Sequence, residues 1–242
     1  MPTFNTEEQI LYDTAMGFAK ANGNKKRVAK EHVDHFAQEK EPVSVFMAGS
    51  PGAGKTEVSK SLIESFSGDV LRIDNDELRN EFEGYNGSNS HIFQDPATRL
   101  LEALHDRALK RGVSFILDTT LSSYEKAKQN IERSLKRKRT VMIIFVYQDP
   151  EFAWKFVTAR EKVEGRRVPP EVFINQFLSS QTVANRLKEE FGNKITIELL
   201  IKNLDGSKEI FHSNVNSIDQ YLVNKYNLAS LEKIVYLKNK GE

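Results

Sequence analysis

The sequence predicts a three-layer α/β sandwich: a mostly parallel central sheet with helices on both faces. Three observations predict it. Apolar, β-prone runs alternate with stretches of helical periodicity along most of the chain, the pattern that strand–helix–strand crossovers produce. VMIIFV at 141–146 is apolar without a break, as a parallel strand buried on both faces requires. VSVFMA at 43–48 runs directly into glycine-rich GSPGAGKT at 49–56, and that runs directly into a helical pattern.

The elements follow in order. Residues 6–38 are polar and helical in pattern, broken at Ala21-Asn22-Gly23-Asn24. After Glu41-Pro42 comes the first strand at 43–48. A helix over 57–66 puts Val58, Leu62 and Phe66 on one face and closes at Ser67-Gly68. VLRI at 70–73 reads as the second strand, 75–82 as a short helix, and EGYNGSNS at 83–90 as a loop or mobile segment. In the helix over 97–110, Leu100, Leu101, Leu104 and Ala108 share a face, with Arg111-Gly112 as the stop. The third strand is 113–117, followed by a helix over 124–136. The run Lys136-Arg137-Lys138-Arg139 closes that helix, where cations favour the negative end of the dipole, and reads as structural. Helices over 151–163 and 170–191 precede the last strong strand at 195–201, and 228–236 is a helical tail segment that could pack on the core or on a partner. Trp154, with Phe152 and Phe156 nearby, reads as packing. His91, His105 and His212 lack metal-ligand spacing.

Composition narrows the function. The chain has 242 residues, a net charge of +1 and no cysteine. That leaves no global field for nucleic acid or membrane, no disulfide framework and no thiolate metal site. No apolar run approaches the ~18 residues of a membrane span. The acidic N-terminus lacks the apolar stretch of a secretory signal, so a cytoplasmic protein is expected.

GSPGAGKT satisfies G-x-x-x-x-G-K-S/T, the phosphate-cradling loop. Gly49, Gly52 and Gly54 carry no Cβ, so the backbone N–H groups of Gly49, Ser50, Pro51, Gly52, Ala53 and Gly54 (proline excepted) can curl around an anion. The helix beginning near Lys55 points its positive dipole end at the same place. Lys55 suits the β- and γ-phosphates of ATP, and the Thr56 hydroxyl suits Mg²⁺. In an open α/β sheet the ligand sits at the carboxyl ends of the strands. There the second strand ends in Asp74-Asn75-Asp76 and the third in Asp118-Thr119-Thr120. Carboxylates at that edge can take a proton from an acceptor hydroxyl. Asp74 and Asp76 can also cap the helix that follows, and the two uses are compatible for different members of the pair. Arg160, Arg166 and Arg167 flank a Gly165 break and a Pro169-Pro170 stop, a short hinged segment suited to a lid over phosphates. These residues leave the acceptor open: a small molecule, a nucleic-acid end, or none, if the protein is a nucleotide-dependent switch.

The ordered set GSPGAGKT, IDNDELR and HIFQDPATRLLEA, then the strand-end acidic motif, an arginine on a helix, and an arginine with proline three positions later, resembles the zeta toxin family of P-loop kinases over about residues 43–206. The resemblance implies a P-loop kinase-like fold and the toxin of a toxin–antitoxin pair. Such a toxin uses ATP and Mg²⁺ to phosphorylate a sugar hydroxyl of UDP-N-acetylglucosamine and is blocked by a small helical antitoxin. It implies that Lys55 and Thr56 hold ATP and Mg²⁺, that Asp76 is the catalytic base, and that Arg160 and Arg167 engage phosphates. Asp74, Arg99, Glu102, Asp118 and Thr120 would then face the sugar substrate. The family commonly has Glu-Gly-Thr with an arginine two residues later, whereas this chain has Asp118-Thr119-Thr120-Leu121-Ser122. The expected organisation is an N-terminal helical extension at 1–41, the kinase domain at 42–206 and a C-terminal extension at 207–242 packed on it.

Overall fold

The structure, a computed structural model, describes residues 4–65, 70–165, 167–202 and 209–237. Phe66, Ser67, Gly68, Arg166 and the expected boundary at 206–207 lie outside them. The described strands form one sheet in the order β2-β3-β1-β4-β5-β6. These are β1 (Val43–Ala48), β2 (Leu71–Asp74), β3 (Phe115–Asp118), β4 (Thr140–Tyr147), β5 (Thr196–Lys202) and β6 (Glu209–His212). β1 to β5 pair in parallel and β6 is antiparallel to β5.

Alternation along the strands builds the three layers. Phe46, Phe115, Leu117 and Phe145 enter one core together with Leu100, Leu104 and Ala108 of α5 (Gln94–Arg111). Val45, Met47, Ile116, Ile144 and Val146 enter another, against Val58, Leu62 and Ile63 of α3 (Lys55–Ser65). The N-terminal helices α1 (Thr6–Lys20) and α2 (Asn22–Val33) join the first core through Ala15, Ala19, Val28, Ala29 and Val33. An Asn5–Glu8 capping box starts α1, satisfying two of its unpaired N–H groups.

The structure corrects several boundaries. The second strand runs through Asp74, which is also the N-cap of α4 (Asn75–Leu78), and a 3₁₀ turn follows at Arg79–Glu81. The long N-terminal pattern ends at Val33 rather than near 38. The loop at 83–90 is laced by its own asparagines, with Asn89 Nδ2 donating to Gly84 O at 2.8 Å. β6 has no sequence signal, because three of its four residues are exposed and it pairs on one side only.

The rest of the chain supplies the remaining helices and the amino-edge contacts. After α6 (Tyr124–Leu135) the basic run is structural, but by a different means than the helix dipole. Arg139 is buried and donates to Ser44 Oγ, Val43 O and Val113 O at 2.7–2.9 Å, with its guanidinium 4.9 Å from the Phe115 ring centre. His105 is buried beside Phe46 and Phe115. In α7 (Pro150–Glu164) Trp154 packs on Phe173 of α8 (Pro170–Phe191), whereas Phe156 is 55% exposed. The tail helix α9 (Leu228–Glu232), continued by a π-helical turn at Lys233–Leu237, packs on α7 and α8 through Leu231, Ile234 and Val235.

Candidate active site

The phosphate loop lies between the ends of β1 and β4. Gly49 has φ +127°, and a Cβ there would run into the Val146 carbonyl oxygen. Gly52 has φ +74°, and its Cβ would meet the Ala153 carbonyl of α7. Only glycine fits at either place, so the backbone is pressed against its neighbours and opens a cradle on the other side. Ser50 and Ala53 are buried in the turn. Lys55 and Thr56 open α3, and Lys55 Nζ donates to Gly49 O at 3.1 Å and Ser50 O at 2.8 Å. Gly49 N donates to Thr120 O at 3.3 Å, which brings the loop after β3 against the phosphate loop. In that loop Leu121 takes a left-handed φ of 54°, with its N–H on Thr119 Oγ1 at 2.8 Å and its side chain buried. Such a conformation costs a bulky residue on the order of 1–3 kcal/mol, and burial of the side chain opposes that cost.

β2 and β3 are in register at their ends, so Asp74 lies directly opposite Asp118. Arg72 of β2, 8% exposed, lies between the two carboxylates, with its Nη2 at 2.5 Å from Asp74 Oδ2 and 2.8 Å from Asp118 Oδ2. It also donates to Glu77, and through Nε to Ser59 Oγ of α3 at 3.0 Å. Asp74 Oδ1 accepts from the Asp76 backbone N–H at 2.9 Å and so caps α4. Burial, with Asp76 and Asp118 nearby, pushes the Asp74 carboxyl up to about 6, while Arg72 pulls it down.

Asp76 points to a second set of cations. Its Oδ1 is 2.8 Å from Nη1 of Arg79, which is buried and also bonded to Gln94. Its Oδ2 is 3.8 Å from Arg160 of α7. Burial opposes the charge on Arg160, but Glu164, Asp76 and Asp74 outweigh it and raise its pKa. Arg160 Nε donates to Glu164 at 2.6 Å, just before α7 ends at Gly165.

Phosphate loop, Thr120, Asp118, Asp74, Asp76 and Arg160 therefore form one continuous constellation at the carboxyl edge of the sheet. Other predicted residues stand apart from it. The Arg167 side chain is 74% exposed, 3.9 Å from Glu161. Arg99 and Glu102 line a cleft of about 250 Å³ between α5 and α1, with Tyr12, Met16, Asp95 and Thr98. There Arg99 Nε is 3.1 Å from Met16 Sδ, and Glu102 pairs with Lys126 at 3.3 Å. Sequence reasoning gave no role to Arg72 or Arg79. The signal for Arg72 was a charge at an inner position of a short apolar strand. Nor did it single out Lys202, which ends β5 and whose Nζ lies 2.5 Å from where a Gly54 Cβ would stand.

Known proteins resemble this chain in sequence and in fold. Toxin PezT of Streptococcus pneumoniae serotype 4 (strain ATCC BAA-334 / TIGR4) is 20% identical over 122 residues, covering 48% of this chain and 48% of that one. The chain thus aligns with about half the length of this curated relative. A structure from the PezAT chromosomal toxin–antitoxin system of Streptococcus pneumoniae superposes with a TM-score of 0.62 at 15% identity, over 98% of this chain and 95% of that one. The complex of AvrRxo1-ORF1 and -ORF2 with ATP gives 0.60 at 15% identity, over 92% and 74%. These superpositions show a shared fold. The family model for zeta toxins matches residues 26–216. The chain belongs to the zeta toxin family.

Proposed function

We propose that this protein is an ATP-dependent kinase that phosphorylates a sugar hydroxyl of UDP-N-acetylglucosamine. It would act in the cytoplasm as the toxin of a toxin–antitoxin pair. The single observation that carries the kinase reading is the placement of Asp76, held between Arg79 and Arg160, on the same sheet edge as the phosphate loop. A simple nucleotide switch has no need of a carboxylate poised there for an acceptor.

The cradle fits a triphosphate: glycines at positive φ, the start of α3 and Lys55 all converge on one place. Thr56, an oxygen donor in the first turn of α3, fits Mg²⁺. When bound, Mg²⁺ would neutralise charge on the β- and γ-phosphates. Lys55 would leave its loop carbonyls to meet the same phosphates. Asp76 would accept the proton of the acceptor hydroxyl as that oxygen attacks the γ-phosphorus of ATP and the bond to the bridging oxygen breaks, releasing ADP, a role worth about 10²–10⁴ in rate. Arg160 would balance the charge on the transferring group. Arg167, beyond the Gly165 hinge, would reach the phosphates only with the lid closed.

Asp74, Asp118, Thr120, Arg99 and Glu102 would form the acceptor side. Asp118 is engaged by Arg72, and Arg99 and Glu102 face the α1 cleft, so acceptor binding would rearrange these contacts. That observation supports a second reading, transfer to another small-molecule or nucleic-acid-end hydroxyl. Incubation with ATP·Mg²⁺ and a panel of UDP-sugars, sugars and nucleic-acid ends separates the two. A mass gain on UDP-N-acetylglucosamine, located by NMR on a sugar hydroxyl, supports the first; phosphate on a 5′-hydroxyl end supports the second. A partner antitoxin would be a small helical protein whose binding suppresses the activity.

A further inference from the structure

We infer that Arg72 is a positioning residue that registers the phosphate-binding helix against the general base. The inference rests on the kinase reading and deepens it. A continuous chain of contacts carries it. The Thr56 carbonyl of α3 accepts from Ser59 Oγ at 3.0 Å, and Ser59 Oγ accepts from Arg72 Nε at 3.0 Å. Arg72 then holds Asp74 at 2.5 Å, and the other oxygen of Asp74 accepts the Asp76 backbone N–H at 2.9 Å. Asp76 stands in the first turn of α4, a helix of four residues that Leu78 anchors in the core at one end and the Asp74 cap holds at the other. The Asp74 cap fixes the turn that carries Asp76, and Arg72 fixes the Asp74 rotamer.

Arginine suits the task. Its planar fork bonds several partners at once from a rigid frame, whereas a lysine is a single point charge. At 8% exposure, the Arg72 side chain is too buried to serve as a solvated surface charge. The charged groups around it are accounted for on every side: Asp74 on its own strand, Asp118 on β3, Asp76 and Glu77 on α4, Arg79 on the following turn and Arg160 on α7. Asp74 and Asp118 would repel each other across the strand pair without it. Arg72 thus keeps them together and leaves Asp76 directed toward Arg79 and Arg160.

The test is a double-mutant cycle read in kcat and in the KM for ATP, with UDP-N-acetylglucosamine as acceptor. A second readout, hydrogen exchange at the Asp76 amide, needs no acceptor. Arg72→Met should lower kcat by about 10–100-fold, since a shift of about 1 Å in a reacting group has an effect of that size. The KM for ATP should stay within about twofold. Arg72→Lys should recover only part of the loss. Asp74→Asn should lower kcat similarly, and the double variant should be no worse than the poorer single one, because both act through one contact chain. The Asp76 amide should exchange faster in each. Wild-type kcat in Arg72→Met, additive losses in the cycle, or a loss that merely tracks the folded fraction overturns the inference. If Arg72→Met does not fold, Arg72→Lys with Asp74→Asn completes the cycle. Asp76→Asn tells the two readings apart: full turnover in that variant defeats the general-base reading, and unchanged amide exchange in Arg72→Lys and Asp74→Asn then defeats this inference as well.

Discussion

Two buried arginines sit at opposite ends of the same sheet, and their surroundings differ in kind. Arg72, at the carboxyl edge, is held by Asp74 and Asp118, which outweigh burial and raise its pKa. Arg139, at the amino edge, is held by two carbonyls, a serine hydroxyl and an aromatic face. Burial lowers its pKa to about 10, with Glu39 opposing the shift and Arg137 adding to it. Dipoles can hold a buried cation, but they offset its burial less fully than carboxylates do. Only carboxylates, however, leave behind groups that can do proton chemistry. On the kinase reading, one end of the sheet serves structure and the other would serve reaction.

Changes at the two ends should separate accordingly. The largest effect belongs to the carboxyl edge: Asp76→Asn should reduce kcat by about 10²–10⁴, far beyond the fall of about 5 °C or less in melting temperature that weakening its pair with Arg79 brings, as judged by steady-state assay and calorimetry. Turnover within threefold of wild type would place the base elsewhere. Next comes the amino edge. Arg139→Met leaves two buried carbonyls without their donor and should lower stability by about 3 kcal/mol in denaturant titration, with kcat per folded molecule unchanged. A loss of kcat without a loss of stability would erase the distinction between the two ends.

The pH dependence gives the two regions opposite slopes. Asp74 titrates near 6 in the fold, above its ordinary value of 3.8, so the native state binds more protons than the unfolded one between these values. Its contribution to stability is present below about 4 and is lost as pH rises through about 6. His105 is depressed by burial, aided by Arg133 and Arg139, from 6.5 to about 3. Its contribution is present above 6.5 and is lost as pH falls toward 3. Asp74→Asn should therefore steepen the rise of stability with pH between 4 and 6, and His105→Leu should flatten it. Denaturation midpoints measured across pH 4–7 check both signs. The smallest effect is kinetic: kcat should fall below about pH 6 as Asp74 takes up its proton and loosens its hold on Arg72, and this limb should be absent in Asp74→Asn.

The same contrast governs how much could be read from the sequence. The phosphate loop was legible because GSPGAGKT is a contiguous pattern, although what demands glycine at 49 and 52 is the approach of Val146 and Ala153. Asp74 and Asp118 were legible because a strand register and an apolar run fix where a strand ends. The Arg72 network was not, since it joins β2, β3, α3 and α4 through side chains that are neighbours only after folding. The basic run at 136–139 was placed correctly as structural, but the reason lies in Val43 and Val113, distant in the chain. Arg99 and Glu102 share a helix with the core leucines, and only the packing of α1 shows that they open onto a cleft lined by Tyr12 and Met16. β6 escaped notice because an exposed edge strand carries no alternation.

In the proposed reaction this carboxyl edge transfers phosphate to a sugar hydroxyl with Asp76 as base. The most direct measurement is mass spectrometry of UDP-N-acetylglucosamine incubated with ATP·Mg²⁺ and either the wild-type chain or Asp76→Asn. The account predicts one added phosphate per sugar nucleotide with wild type, and at least a hundredfold less with the variant. ADP formation with no phosphate on the sugar nucleotide, or equal product from both proteins, would contradict it.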